Sequence, residues 1–199
     1  MPSRNATGDT PAKAPRADAR RNAELVLAGA RRAVATHGLD ASYHEIARLA
    51  GVGVGTVYRR FPQRDELMEA VLLDTLDELI QEAERALEHP DPWEGFTGLF
   101  AGLALRTGEN AGLSGSLDER GGPRVAARRR RLLDLLHRTT ERAQRAGALR
   151  DDVGPQDIPY LARAATSAGC VLDLPAGPEQ PRRAITVILD GLRTRGGRA

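Results

Sequence analysis

Residues Ser42–Leu67 read SYHEIARLAGVGVGTVYRRFPQRDEL, and the spacing within this stretch decides the fold. Ser42 and Glu45 form a Ser-x-x-Glu capping box that starts a helix. Ile46, Ala47 and Leu49 give that helix an apolar face, and Gly51 permits a turn through positive φ. A short second helix is predicted from about Val54 to Phe61, where Pro62 breaks it. Two short helices joined by a tight glycine turn make a helix-turn-helix. In that geometry the first helix crosses a DNA backbone and the second fits the major groove. Ala47 is small enough to let the helices approach, and Val52 and Val57 can hold the second one to the core. Val54, Gly55, Thr56, Tyr58, Arg59 and Arg60 are then left as an exposed, largely polar and cationic face.

On the N-terminal side, residues 1–19 are rich in Ala, Pro, Ser, Thr, Asp and Arg without apolar periodicity, and read as a disordered tail. A helix is expected from about Arg20, with Val26, Leu27, Ala30, Ala33 and Val34 at helical spacing and Gly38 as its cap. On the C-terminal side, Leu67, Val71, Leu72, Leu76, Leu79, Ile80, Ala83 and Leu87 form one broad stripe from about Arg64 to Glu88. At ~1.5 Å per residue that helix would be on the order of 35 Å long, enough to connect two domains. His89-Pro90-Asp91-Pro92 ends it. Further helices are expected at Trp93–Thr107, Pro123–Ala146, Gln156–Leu174 and Pro181–Thr194, with a loop or one short helix at Gly108–Gly122. No segment alternates convincingly as a strand and no repeat is visible. The expected fold is all-α: a three-helix domain at 20–66, then a long helix leading into a helical bundle that fills 67–199.

The composition agrees with an intracellular protein. The chain has 199 residues and 41% hydrophobic content, enough for a real core. Its apolar runs are too short to span a bilayer, and its start has no apolar leader, so neither a membrane nor a secretory route is expected and the cytoplasm is. One cysteine excludes an intramolecular disulfide framework. The net charge of +2 hides a division. Up to Glu66 there are 11 basic and 7 acidic residues, and from Leu67 onward 18 basic and 20 acidic. A basic front and a mildly acidic back suggest that only the first third meets a polyanion.

The same stretch resembles the N-terminal domain of the TetR (tetracycline-repressor) family of transcriptional regulators. That family's pattern is roughly Thr-x-x-x-Ile-Ala, then Ala-Gly-Val-Ser-x-Gly-Thr-Leu-Tyr-x-His-Phe, then x-x-Lys-x-x-Leu. Ser42, Ile46, Ala47, Ala50, Gly51, Val52, Gly55, Thr56, Val57, Tyr58, Phe61, Arg64 and Leu67 occupy those slots. Gly53 stands in place of the usual Ser, Arg60 of His, Arg64 of Lys and Val34 of Phe. The resemblance implies phosphate contacts from Tyr58, Arg60 and Arg64, with Ser42 and Thr56 alongside. It implies base contacts from Arg59, suited to guanine O6 and N7, and from Tyr43, His44, Val54 and Gly55. The alternative for Arg59 is a pairing with a carboxylate such as Glu45, or with phosphate alone.

For the remainder, the resemblance implies a homodimer reading a palindromic operator, released by a small-molecule effector, with no cofactor and no catalysis. Leu161, Ala165, Ala168 and Leu172, with Ile185, Ile188, Leu189 and Leu192, would form the dimer face; alternatively these stripes bury within their own subunit. Trp93, Phe96, Phe100, Leu103, Leu136, Thr140, Tyr160 and Ser167 could line an effector pocket or be plain core. The competing class is a helical small-molecule-binding or enzymatic bundle whose helix-turn-helix is only structural. Against it, Gly51-x-Gly53-x-Gly55 lacks the strand of a dinucleotide site, and the four histidines show no metal-ligand spacing. Gly112–Ser116 fails the nucleophile-elbow spacing. Cys170 reads as a small core residue of a helix, and Arg128–Arg131 as a solvated face with one ion pair to Asp118, Glu119 or Asp134.

Overall fold

The computed structural model describes residues 14–37, 41–109, 122–166, 170–171, 174–175 and 177–194. Three helices form the head: α1 (Ala14–His37), α2 (Tyr43–Ala50) and α3 (Val54–Arg60). The 25-residue α4 (Arg64–Glu88) runs on into the body, with the limits its apolar stripe predicts. There it meets α5 (Pro92–Glu109), α6 (Pro123–Arg145), α7 (Asp157–Ala165) and α8 (Gln180–Leu192). Asp91 links α4 to α5, its carboxylate accepting from the Trp93 and Glu94 amides at 2.8 and 3.3 Å, with Pro92 at the first helical position. Among the described residues the fold is all-α apart from one antiparallel ribbon of two-residue strands and a single bridge between Leu149 and Arg193.

That ribbon corrects the expected Gln156–Leu174 helix. α7 stops at Ala165, and Cys170–Val171 pairs with Leu174–Pro175. Thr166-Ser-Ala-Gly169 is a run dominated by weak helix formers, which ends the helix although apolar residues continue at helical spacing. Cys170 is therefore a strand residue, while Ser167, Ala168 and Leu172 lie outside the described residues. At the other end α1 begins at Ala14, earlier than apolar periodicity suggests. Ala14, Ala17 and Ala19, with Arg16 and Arg20, favour helix by propensity, a signal that apolar spacing does not register. Gly38, residues 1–13 and most of the Gly108–Gly122 segment lie outside the described residues.

The core is continuous from head to body. Val26, Ala30, Ala33 and Val34 of α1 are fully buried, as are Leu67 and Val71 of α4. In the body, Trp93, Phe96 and Phe100 stack along α5 with centroids 5.8 and 6.2 Å apart.

Around this core α4 acts as an acidic spine to which neighbouring helices are pinned by arginine. Arg31 of α1 reaches Asp74 and Glu78, and Arg106 of α5 reaches Glu78 and Glu82. Arg128 and Arg131 of α6 take Asp77 and Glu84. The carboxylates for the Arg128–Arg131 run thus come chiefly from α4, with Asp134 a more distant partner of Arg131 at 3.6 Å. Arg142 donates to the carbonyls of Ala86, His89 and Pro90, closing the C-terminal end of α4, where a cation also complements the helix dipole.

Candidate nucleic-acid interface

The helix-turn-helix is built by local chemistry. Ser42 Oγ accepts from the Glu45 amide at 3.2 Å, capping α2. The Glu45 carboxylate does not complete a reciprocal box; it accepts from Arg48 at 2.7 and 3.0 Å, with His37 at 3.7 Å. Arg48, and less strongly His37, hold the Glu45 carboxyl below the usual range. Since Glu45 is taken by Arg48, it is not the partner of Arg59.

Gly51 closes α2 at φ 67°, a left-handed conformation that favours glycine. The Val52 amide then donates to the Ala47 carbonyl at 3.1 Å. α1 and α2 cross at Gly29, where an added Cβ would lie 2.7 Å from Ala50 Cβ and 2.8 Å from the Ile46 carbonyl oxygen. The sequence spacing gives Ala47 the approach of α2 to α3; the approach of α1 to α2 falls to Gly29, and only the crossing geometry reveals it.

Val57 is fully buried and Phe61 nearly so, so α3 turns its other face outward. Thr56 and Val54 are half-buried, while Gly55, Arg59, Arg60 and Tyr58, the last 52% accessible, are exposed. Arg59 Nη2 donates to Thr56 Oγ1 at 3.3 Å, which lays the guanidinium along the helix face. Arg60 sits over the Phe61 ring at 5.0 Å. Gly53 begins α3 without a side-chain cap. Ser42 and His44 stand exposed at the start of α2.

Two expected contact residues also serve the scaffold. Tyr43 is 7% accessible, and its hydroxyl donates to the Phe61 carbonyl at 2.9 Å. Its ring rests 4.6 Å from that of Tyr58. Burial pushes its phenol up, Arg64 opposes this, and Tyr58 and Glu66 add to the rise. Tyr43 therefore ties α2 to the end of α3. Arg64, half-buried, donates to the Ala41 carbonyl at 2.9 Å and anchors the start of α4 to the segment before α2.

In the body, Trp93, Phe96, Phe100, Leu103, Leu136 and Thr140 are all buried, and the Thr140 hydroxyl is satisfied by the Leu136 carbonyl at 2.8 Å. Tyr160 is 78% accessible, so it leaves the set of pocket candidates. Ala165, Ile185 and Leu192 are buried within their own subunit, which corrects their assignment to the dimer face. Leu161, Ile188 and Leu189 are half-buried at the surface. Val187, 69% accessible, was missed by sequence reasoning. Its i, i+3, i+4 relation to Ala184 and Ile188 is the signal that could have found it. Among the described residues no helix is long and apolar enough to cross a membrane.

A profile described as bacterial regulatory proteins, tetR family, matches residues 26–71. A second, described as transcriptional regulator SbtR-like, C-terminal domain, matches residues 91–194. No protein of curated function matches significantly. Among solved structures, a TetR transcription regulatory protein from Mycobacterium vanbaalenii is 32% identical, with 89% of this chain and 98% of that one covered and a TM-score of 0.64. A TetR transcriptional regulator, SCO0520, from Streptomyces coelicolor is 27% identical, with 87% and 99% covered and a TM-score of 0.65. AibR, solved with isovaleryl coenzyme A and operator DNA, shares the fold at 16% identity, with 86% and 97% covered and a TM-score of 0.61.

Proposed function

The chain belongs to the TetR family of bacterial transcriptional regulators, and from that premise we propose that this DNA-binding regulator is a homodimeric repressor released from a palindromic operator by a small-molecule effector. The observation that carries the reading is α3, anchored by fully buried Val57 while Tyr58, Arg59 and Arg60 face outward beside half-buried Thr56. Arg59 reads a base edge, Tyr58 and Arg60 engage phosphates, and Ser42 and Thr56 support them. One head of this size makes too few contacts for tight specificity, so two heads read two half-sites.

The second head comes from a dimer built on the outward faces of α7 and α8. Tyr160, Leu161, Ala184, Val187 and Ile188 offer apolar surface there. The effector enters the body beside the Trp93–Phe96–Phe100 ladder and binds the DNA-incompetent setting more tightly than the competent one, as any such release requires. AibR, which holds isovaleryl coenzyme A and operator DNA, is a precedent for a fold of this kind serving both ligands.

Gel shifts on the DNA upstream of its own gene test the reading. Arg59→Ala should lower affinity by about 1–3 kcal/mol and relax preference at one base position. An equal loss on every sequence would remove the base-reading role. Sedimentation should show a dimer at micromolar concentration and a monomer for Val187→Arg; a wild-type monomer would overturn the dimer.

A further inference from the structure

A cavity of about 730 Å³ lies where the head meets the body, with walls from α1, α2, α4 and α5. Arg31, Arg32, Arg48 and Arg106 all face it. Four guanidiniums in one cleft invite an anion, but each is engaged. Arg31 holds Asp74 and Glu78, Arg106 holds Glu78 and Glu82, Arg48 holds Glu45, and Arg32 donates to the Leu49 carbonyl. Three of the four are paired with carboxylates and the fourth with a backbone carbonyl, so each guanidinium already has a partner.

What it holds instead is one carboxylate shared between two parts of the molecule. Glu78 Oε1 accepts from Arg31 Nη1 at 2.8 Å, and Oε2 accepts from Arg106 Nε at 3.3 Å. Arg31 belongs to α1 of the head, Arg106 to α5 of the body, and Glu78 to α4 between them. The Arg31 and Arg106 side chains are only 27% and 24% accessible, so solvent screens these pairs less than pairs on the open surface. Burial pushes the Glu78 carboxyl up, yet the two arginines outweigh it and hold it below the usual range. Arg31 Nε is buried without a partner, so its guanidinium is held by the two carboxylates at its far end.

We propose that Glu78 is a positioning residue for DNA binding: gripped from the head by Arg31 and from the body by Arg106, it sets the angle at which α3 is presented. The functional consequence rests on the regulator reading above; the mechanical one does not. A displacement of α5 stretches the Arg106 link, and the shared carboxylate passes that change to α1. Apolar contacts between α1 and α4 keep the head attached, while the bridge selects one orientation among those the contacts allow.

The test is an intramolecular distance, measured without DNA or effector. Nitroxides are placed at Leu25→Cys on α1 and Leu133→Cys on α6, both exposed, in the full chain with Cys170→Ser. Labelled protein is diluted with unlabelled protein and read by pulsed electron resonance. The otherwise unaltered bridge should give one narrow distance distribution. Glu78→Gln and Arg106→Gln, each folded by circular dichroism, should shift or broaden it. Arg128→Gln, which breaks an ion pair on another side of α4, should leave it unchanged. Operator affinity should fall at least about fivefold in Glu78→Gln, the low end of a typical coupling. Unchanged distances in both folded bridge variants would overturn the proposal. A chain that binds no operator yet shows the distance change would overturn the regulator reading and leave the bridge standing.

Discussion

Head and body solve the same problem, holding helices together, by different means. In the head, α2 has 8 residues and α3 has 7, too short to persist by helix propensity alone. They are fixed by single groups: the Ser42 cap, the left-handed Gly51, the Tyr43 hydroxyl on Phe61 and the bare Cα of Gly29. The body uses long helices, volume and charge, with aromatic rings stacked along α5 and arginines from α5 and α6 gripping α4. A reading surface must hold its shape closely enough to match a groove, and the head spends its residues on geometry. One carboxylate on α4, Glu78, is held from both regions, by Arg31 of the head and Arg106 of the body.

The contrast can be broken most forcefully in the body. Phe100→Ala should destabilise the protein by about 3–5 kcal/mol in urea unfolding, as for a fully buried ring in a packed core. A loss under about 1 kcal/mol would mean that the ring borders open space, making it effector-pocket lining rather than core. In the head, Gly29→Ala should cost about 1–3 kcal/mol, because its Cβ meets backbone that cannot swing aside. Hydrogen exchange should localise that loss to α1–α3, and protection lost equally in α5 and α6 would erase the distinction between the two regions.

Smaller changes sharpen it. Arg60→Ala should leave the fold intact and make operator binding less salt-dependent by about one unit of slope, as one phosphate contact disappears. An unchanged slope across a salt series would take Arg60 off the DNA. Gly53→Ser supplies the side-chain cap that α3 lacks, at a position with open space around it, and should raise stability by a few tenths of a kcal/mol. A loss on thermal melting would show that the turn before α3 needs glycine.

The same contrast explains what could be read from residues alone. α2, α3 and α4 were legible because caps, a turn glycine, a proline and an uninterrupted apolar stripe are all signals within a few residues of the structure they specify. The exposed face of α3 followed from them. The burial of Tyr43 was not legible because sequence spacing cannot say which side of a short helix a tyrosine takes. Gly29, Arg142 and Glu78 act through partners 17 to 56 residues away, and nothing near them in sequence announces those partners. The end of α7 was missed because apolar spacing continued past Thr166, where weak helix propensity prevailed. The outward face of α8 was half-read, since Ile185 and Leu192 turn inward while Val187 turns out.

Selection of bound duplexes from a random pool tests the central claim most directly, because it assumes neither an operator nor an effector. The wild-type chain should enrich a palindrome whose two half-sites are centred about one helical turn apart, ~34 Å or a multiple of it. Arg59→Ala should enrich the same palindrome with one position relaxed in each half. Recovery of no common sequence by the wild-type protein, at low salt and across successive rounds, would contradict the account.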